Sequence, residues 1–186
     1  MIKADLQNCL ECSPVIASFH DRDFENALSS PSEILFDLKA SLPKEAERIK
    51  KAHQCGKAIF VHIDLADGIG KDKTGIEYLA SLGVDGIIST KGQMIRYARE
   101  AGLLTVQRFF ALDTKGLDSI HELLESSAPD LIEIMPGVIS KVIERFSGGS
   151  IPVIAGGLIE TKAEVTAALS CGAAAVSTGM PELWYI

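Results

Sequence analysis

The chain has 186 residues, enough for a full hydrophobic core, and we expect a single domain over residues 1–186. Apolar residues make up 47% and charged residues 23%, a globular balance that excludes a disordered chain. The net charge of −7 disfavours a broad nucleic-acid-binding surface. The N-terminus lacks the apolar core of a secretion signal and no run is long enough to span a membrane, so we expect a cytoplasmic protein without a membrane partner.

A C-x-x-C pair, Cys9 and Cys12, lies near the N-terminus. It has no second cysteine pair and no nearby histidines, so a tetrahedral zinc site would be incomplete. The pair is either a redox motif or two reduced thiols on an N-terminal turn. We expect no metal and no cofactor.

Eight short apolar runs follow one another at an even spacing. Most lack strict alternation and are rich in Val, Ile and Phe, as strands buried on both faces of a parallel sheet are. The runs are residues 14–19, 33–38, 58–64, 85–90, 104–110, 131–137, 152–158 and 174–180.

Helical signals lie between these runs. Pro43 begins a segment that Gly56 ends, and Thr161 with Glu164 three residues later forms a capping box. Eight strand–helix units predict an α/β fold, a compact (β/α)8 TIM barrel, with a doubly wound sheet as the rival. Because about 250 residues are typical of this barrel, we expect shortened helices, above all over residues 21–29 and after residue 180.

Ligand sites of such barrels lie at the carboxyl ends of the strands, and the loops after strands 7 and 8 often bind a phosphate through bare backbone N–H groups. "AGGL" and "STG" end the last two runs. Because both ends match together, they predict a phosphate site; the alternative is that the glycines serve only a tight strand-to-helix turn. The residues concerned are Gly156, Gly157, Ser177, Thr178 and Gly179.

Charged and polar side chains end several other runs. His62 and Asp64 are two positions apart and should face the same side. Cationic side chains there could bind an anion, and carboxylates could accept hydrogen bonds from hydroxyl groups, so a polyol phosphate would use both. A closed hydrogen-bonded pair or a ring of mutual salt bridges are the alternatives. The candidate polyol-end residues are Asp37, His62, Asp64, Lys91, Arg108 and Glu133.

Two further segments have open interpretations. Residues 67–75 carry two lysines and three glycines, which fits either a mobile lid or an exposed connection. Basic residues over 44–57 and at Arg96 and Arg99 are typical of a solvated helix face, and a local RNA-binding patch is the alternative.

Six motifs occur together in order: VHIDLADGI, GIIST, QRFFALDT, IEIMPGVI, IPVIAGGLIET and STGMPELW. With them the chain resembles, from residue 14 to Trp184, the glycerol uptake operon antiterminator family of bacterial regulators. The resemblance implies a regulator rather than an enzyme, which binds glycerol 3-phosphate and acts on the mRNA leader of glycerol-uptake genes to prevent early termination. It implies a phosphate at Gly156, Gly157, Thr178 and Gly179, and a glycerol end lined by His62, Asp64, Arg108 and Glu133.

An acidic chain that binds RNA needs a local basic patch, a homodimer that combines patches, or a ligand-driven change. From the residues alone, the rival function is a small barrel isomerase, epimerase or aldolase acting on a phosphorylated polyol or sugar. His62, Asp64 and Glu133 could act there as acid and base. No strand interior carries a lysine, which disfavours a Schiff-base aldolase.

Overall fold

The computed structural model describes residues 3–186, with the side chains of residues 3–5, 7 and 115 left undescribed. Eight parallel strands pair in sequential order and close into a barrel, because β1 pairs with both β2 and β8. Each predicted apolar run contains one strand, and the (β/α)8 barrel is confirmed. The strands are β1 (Val15–Phe19), β2 (Ile34–Asp37), β3 (Ala58–His62), β4 (Gly86–Ser89), β5 (Leu104–Phe110), β6 (Leu131–Met135), β7 (Val153–Gly156) and β8 (Ala175–Thr178).

One helix precedes β1, and a helix follows each strand from β1 to β7. The helices are α1 (Lys3–Cys12), α2 (Phe24–Ser29), α3 (Leu42–Gln54), α4 (Lys73–Leu82), α5 (Gly92–Glu100), α6 (Thr114–Ser127), α7 (Ser140–Ser147) and α8 (Lys162–Ser170). After β1 there is only a 3₁₀ turn, Asp21–Asp23, and the six-residue α2; after β8 there is only the 3₁₀ turn Pro181–Tyr185. The expected shortening is therefore confirmed at both places.

The helix ends show the predicted chemistry. Thr161 accepts a hydrogen bond from the backbone N–H of Glu164, and the Glu164 carboxylate accepts one from the backbone N–H of Thr161 at 2.9 Å. Gly56, beyond the end of α3, has a φ of +72°, a conformation that other residues adopt only under strain. The capping box and the glycine stop are confirmed.

The apolar core has two layers, one inside the barrel and one between the sheet and the helices. Because successive strand residues point to opposite faces, Ile16 and Phe60 lie inside while Ala17 and Val61 face the helices. Leu6 of α1 joins the inner layer together with Leu10, so α1 closes the amino-terminal end of the barrel.

That helix corrects one expectation. Cys9 and Cys12 lie on α1 and not on a turn, and no disulfide joins the four cysteines. The helix was missed because its role depends on contacts between Leu6 and Leu10 and strands that are distant in sequence. No helix within residues 3–186 is both long and apolar enough to cross a membrane.

The segment 67–75 is held at both ends. The backbone N–H of Asp67 donates to Ala40 O at 2.8 Å, and Asp67 O accepts from Leu42 N at 3.0 Å. Ile69 is buried, and Asp72 caps α4 by accepting from Gly75 N. These contacts favour a fixed connection over a mobile lid.

Candidate functional site

Five polar side chains converge at the carboxyl-terminal end of the barrel interior, which we call the mouth. Each lies two positions beyond an apolar residue of the inner layer, for example Arg108 beyond Val106 and Glu133 beyond Leu131. Strand alternation therefore places them on the inner face. All are buried, at 1–8% exposure: Ser18, His62, Arg108, Glu133 and Ser177.

A hydrogen-bonded network at the mouth joins side chains from β5, β6 and β8. Arg108 Nε donates to Glu133 Oε2 at 2.6 Å, and Ser177 Oγ donates to Glu133 Oε1 at 2.5 Å. Arg108 and Glu133 lie opposite each other in the β5–β6 register. Both carboxylate oxygens of Glu133 thus have a partner, and the remaining guanidinium N–H groups of Arg108 make no other ion pair among the described residues.

Gly156 makes room for this network. A Cβ on Gly156 would overlap Glu133 Oε1 and lie 2.6 Å from Ser177 Oγ. The first glycine of "AGGL" is therefore required by its neighbours in the protein, whatever else binds there. Gly157 has a different reason, because its φ is +73° and a Cβ would lie 2.6 Å from Met135 Cε.

His62 has hydrogen-bonding capacity that the described residues leave unused. Within the described part of the chain, neither ring nitrogen has a hydrogen-bond partner, although the side chain is 4% exposed. Burial, followed by the nearby charge of Arg108, lowers the pKa of His62 to about 4. The ring is therefore neutral near pH 7, with one nitrogen that donates and one that accepts. A buried polar group left in this state is expected to meet a ligand or water.

Asp64 does not share the inner face with His62 in the expected way. It lies in a 3₁₀ turn, Ile63–Leu65, and its Oδ2 is 3.8 Å from His62 Nε2. Ser89 Oγ donates to it at 2.7 Å, and the backbone and hydroxyl of Thr90 both donate at 2.8 Å. Burial raises its pKa, but these hydrogen bonds outweigh burial and leave the pKa lowered. Asp64 therefore holds the β3 and β4 ends together.

Asp37 is placed on the opposite side of the sheet from the mouth, which corrects the expectation for this residue. Leu35, two positions earlier, belongs to the outer layer, so Asp37 faces the helices. It is fully buried, and Arg48 Nη1 donates to its Oδ2 at 2.6 Å. Asp37 ends a strand as the mouth residues do, but its side chain points to the opposite face of the sheet.

Lys91 is the N-cap of α5, and its side chain is exposed at the edge of the mouth. It does not line the central cavity. Of the six polyol-end candidates, the structure brings His62, Arg108 and Glu133 together at the mouth, with Asp64 beside His62.

A cavity of about 110 Å³ joins the charged floor to the glycine-rich loops. It lies between Arg108 and Glu133 on one side and Gly157, Thr178 and Gly179 on the other. Leu38, Met135, Leu158 and Ile159 also line it, and sequence reasoning missed them because apolar side chains carry no chemical signature.

The loops after β7 and β8 present free backbone donors. Among the described residues, no protein acceptor is bonded to the backbone N–H of Gly157, Leu158 or Gly179. The hydroxyl of Thr178 is used internally, since it donates to Ile159 O at 2.8 Å and accepts from Met180 N at 3.1 Å. The Thr178 side chain thus fixes the two loops relative to each other.

Three larger cavities lie elsewhere. One of about 320 Å³ lies between α6 and α7, one of about 400 Å³ lies beside α1 at the far end of the barrel, and one of about 190 Å³ lies between α2 and α3. None of the three is lined by glycine-rich loops that follow neighbouring strands. Within the described residues, no group of three or more His, Cys, Asp or Glu side chains could hold a metal ion.

Comparison with known proteins gives a matching protein family. The family model described as glycerol-3-phosphate responsive antiterminator matches residues 15–184. A curated Escherichia coli (strain K12) protein, uncharacterized protein YgcP, is 32% identical over 185 residues, covering 96% of this chain and 95% of that protein.

Solved structures show the same relationship. The glycerol uptake operon antiterminator regulatory protein of Listeria monocytogenes is 34% identical with a TM-score of 0.86, over 91% of this chain and 94% of that one. An antiterminator-related protein of Thermotoga maritima is 30% identical with a TM-score of 0.80, over 92% and 98%. An N-acetylmannosamine-6-phosphate 2-epimerase of Clostridium perfringens, at 15% identity and a TM-score of 0.67 over 93% and 88%, shares the fold alone.

Proposed function

The chain belongs to the glycerol-3-phosphate responsive antiterminator family, and we propose that it is a cytoplasmic glycerol-3-phosphate sensor. In the bound state it would contact the mRNA leader of glycerol-uptake genes and prevent premature termination of transcription. The observation that carries the proposal is the mouth, where the cavity joins free backbone N–H groups to Arg108, and the neutral, unpartnered His62 lies buried on the same inner face of the barrel.

The phosphate would lie against the loops after β7 and β8. The backbone N–H groups of Gly157, Leu158 and Gly179 are free there. Gly157 adopts a φ of +73°, which suits glycine, and because glycine has no Cβ, nothing at this position blocks the approach of a phosphate to the backbone. Gly156 serves this site indirectly, by leaving room for Glu133. Backbone donors of this kind bind a phosphate in the barrels that use them.

The glycerol end would lie over Arg108 and His62. A neutral imidazole can donate to one hydroxyl group and accept from another, whereas a protonated one could only donate. The guanidinium of Arg108 adds donors beside the Glu133 carboxylate that it already binds. A three-carbon polyol with one phosphate fits this arrangement, with backbone donors at one end and polar side chains at the other. The small cavity leaves little space for a larger sugar.

The enzyme alternative rests on His62, because an unpartnered histidine is a standard acid–base group. The other two candidate groups are fully used. Glu133 accepts from Arg108 and Ser177, and Asp64 accepts from Ser89 and Thr90. None of the eight strands carries a lysine for a Schiff base. A single neutral imidazole supports recognition of hydroxyl groups better than it supports catalysis of an isomerisation.

In the sensing mechanism the ligand shifts a population. It must bind one arrangement of the mouth loops more tightly than another, and that arrangement must be the one that contacts RNA or forms a dimer. Arg108 and the loops after β7 and β8 are the groups that the ligand would connect. Because the net charge is −7, RNA contact would need a local basic patch on one chain or patches combined in a homodimer.

A titration of a glycerol-uptake leader transcript tests the proposal. We expect RNA binding that tightens when glycerol 3-phosphate is saturating, with the ligand recovered unchanged by mass spectrometry after hours of incubation. Analytical ultracentrifugation of the same samples reports whether one chain or two bind each transcript. Absence of RNA binding at low salt together with slow conversion of the ligand would instead establish the enzyme.

A further inference from the structure

Exposed apolar side chains are concentrated around the mouth. Of the eleven large hydrophobic side chains that are exposed in the described part of the chain, six immediately end or follow a strand at its carboxyl end. Leu112 is 85% exposed and Leu158 66%. Clusters of exposed apolar surface in a monomer mark interaction sites. We call these six the mouth rim: Leu65, Phe110, Leu112, Val138, Leu158 and Met180.

Unpaired cations occupy the same end of the barrel. Among the described residues, seven exposed basic side chains contact no carboxylate. Lys50, on α3, and Arg99, in the last turn of α5, lie away from the mouth. The other five are on the loops after the strands or in the first two turns of the following helices: Lys71, Lys91, Arg96, Lys141 and Lys162.

These cations are placed against the helix dipole. Lys91 is the N-cap of α5, Lys141 is the second residue of α7, and Lys162 is the first residue of α8. The amino-terminal end of a helix carries a partial positive charge and disfavours a cation. Arg96 turns back to the same end of α5, because its Nη1 lies 3.9 Å from the position of a Cβ on Gly92. The stability of the chain alone does not account for this arrangement.

We propose that the mouth rim and its cations form the RNA-contacting surface, so that single-stranded RNA lies across the opening of the ligand cavity. This inference rests on the proposed function. Lysines at the edge would neutralise phosphates, while Phe110, Leu112 and Leu158 would contact unstacked bases. Ligand and RNA would then share the loops after β7 and β8, which couples their binding.

Matched single variants test the location. Lys141→Glu, Lys162→Glu and the control Lys50→Glu each lower the net charge by two, and none of the three residues lines the ligand cavity. We expect the two rim variants to weaken leader-RNA binding about tenfold at low salt and to reduce the slope of log K against log salt by about 0.7 for each lost contact, with Lys50→Glu close to wild type. Leu112→Ser should also weaken binding, and Leu123→Ser, which changes an exposed leucine on α6 away from the mouth, should not.

The outcomes separate two failures. If wild type binds the transcript and Lys141→Glu or Lys162→Glu binds no more weakly than Lys50→Glu, the surface is wrong and the proposed function stands. If wild type binds no transcript with or without glycerol 3-phosphate, the proposed function fails and this surface fails with it. Unchanged glycerol 3-phosphate affinity in the rim variants confirms that the loss is one of RNA contact and not of folding.

Discussion

Two buried arginine–carboxylate pairs lie at the same end of the barrel, and their difference shows how a binding site is separated from a structural one. Arg108 bonds Glu133, and Arg48 bonds Asp37, each at 2.6 Å. The first pair is inside the barrel and the second is between the sheet and the helices. The side of the sheet, and not the distance along the strand, decides whether a pair faces the barrel interior or the helices.

The two clusters also differ in what is left unused. In the outer cluster Arg48 binds both Asp37 and Asp21, and it lies over the rings of Phe19 and Phe24 at 5.8 and 5.5 Å. Hydrogen bonds from Lys44 and Arg48 lower the pKa of Asp21 to about 2. Each cluster has one buried group without a hydrogen-bond partner: the ring nitrogens of His62 in the inner cluster and the carboxyl oxygens of Glu45 in the outer one. The unused group is therefore a neutral imidazole on the inner face of the barrel in one case and a carboxyl group between the sheet and the helices in the other.

The largest expected effect on stability comes from breaking the outer pair, Arg48 and Asp37. Arg48→Met keeps apolar contact with Phe19 and Phe24 but leaves the fully buried Asp37 without its cation. Removing one partner of a buried ion pair costs about 3–5 kcal/mol. Urea unfolding monitored by circular dichroism should show a loss of this size in the free energy of unfolding.

A double variant controls for this reading. Arg48→Met combined with Asp37→Asn removes the unpaired charge and should recover part of the loss, because an amide costs less to bury than a carboxylate. A loss below about 1 kcal/mol in the single variant, or an equal loss in both, would show that the outer pair is not structural.

A smaller effect is expected from filling the space that the inner pair needs. Gly156→Ala should push Glu133 away from Ser177 and cost about 1–3 kcal/mol, as overpacking does. Gly148→Ala is the matched control, because a Cβ there meets nothing within 4 Å and its φ of −78° suits alanine. Thermal unfolding of both variants compares them, and equal melting temperatures would contradict the packing at Gly156.

The smallest expected effect is a pH dependence with opposite signs in the two clusters. Burial, then the neighbouring Asp37, raises the pKa of Glu45 on α3 to about 8. The folded state keeps a proton there that the unfolded chain releases near pH 4.5, so stability falls as pH rises towards 8. The lowered pKa of His62 has the opposite effect, because the unfolded chain takes up a proton there at a higher pH than the folded protein does. The folded protein therefore loses stability as the pH falls from 6.5 towards 4.

Of these two residues, only Glu45 is expected to change the stability between pH 6.5 and 8. Wild type should lose stability over this interval by up to about 1.4 kcal/mol per pH unit, whereas Glu45→Gln should show no such slope from this site. Urea unfolding at the two pH values measures the difference. The same slope in Glu45→Gln as in wild type would rule out Glu45 as the source.

The sequence predicts the fold well because the strand signal is repeated eight times. Val- and Ile-rich runs, glycine stops and the Thr161 cap are local features, and local features determine these elements. Helix α1 was missed because its role, closing the barrel through Leu6 and Leu10, depends on contacts with distant strands.

The site was predicted less completely. Strand ends were identified, but the face of each side chain requires knowing which alternate residues are interior, and both faces of a buried parallel strand are apolar. Asp37 was therefore grouped with Glu133, although each faces a different layer. Likewise, the glycine pair suggested a phosphate, and only the geometry shows that Gly156 is needed by Glu133.

Calorimetric titration with glycerol 3-phosphate tests the central claim most directly. Arg108→Ala and Gly157→Val should each weaken binding tenfold or more, about 1.4 kcal/mol, whereas Asp37→Asn should bind as wild type does. Gly157→Val leaves the Arg108–Glu133 pair in place, so it separates loss of the phosphate loop from loss of the ion pair. Wild-type affinity in both mouth variants, or an equal loss in Asp37→Asn, would contradict the assignment of the ligand to the inside of the barrel.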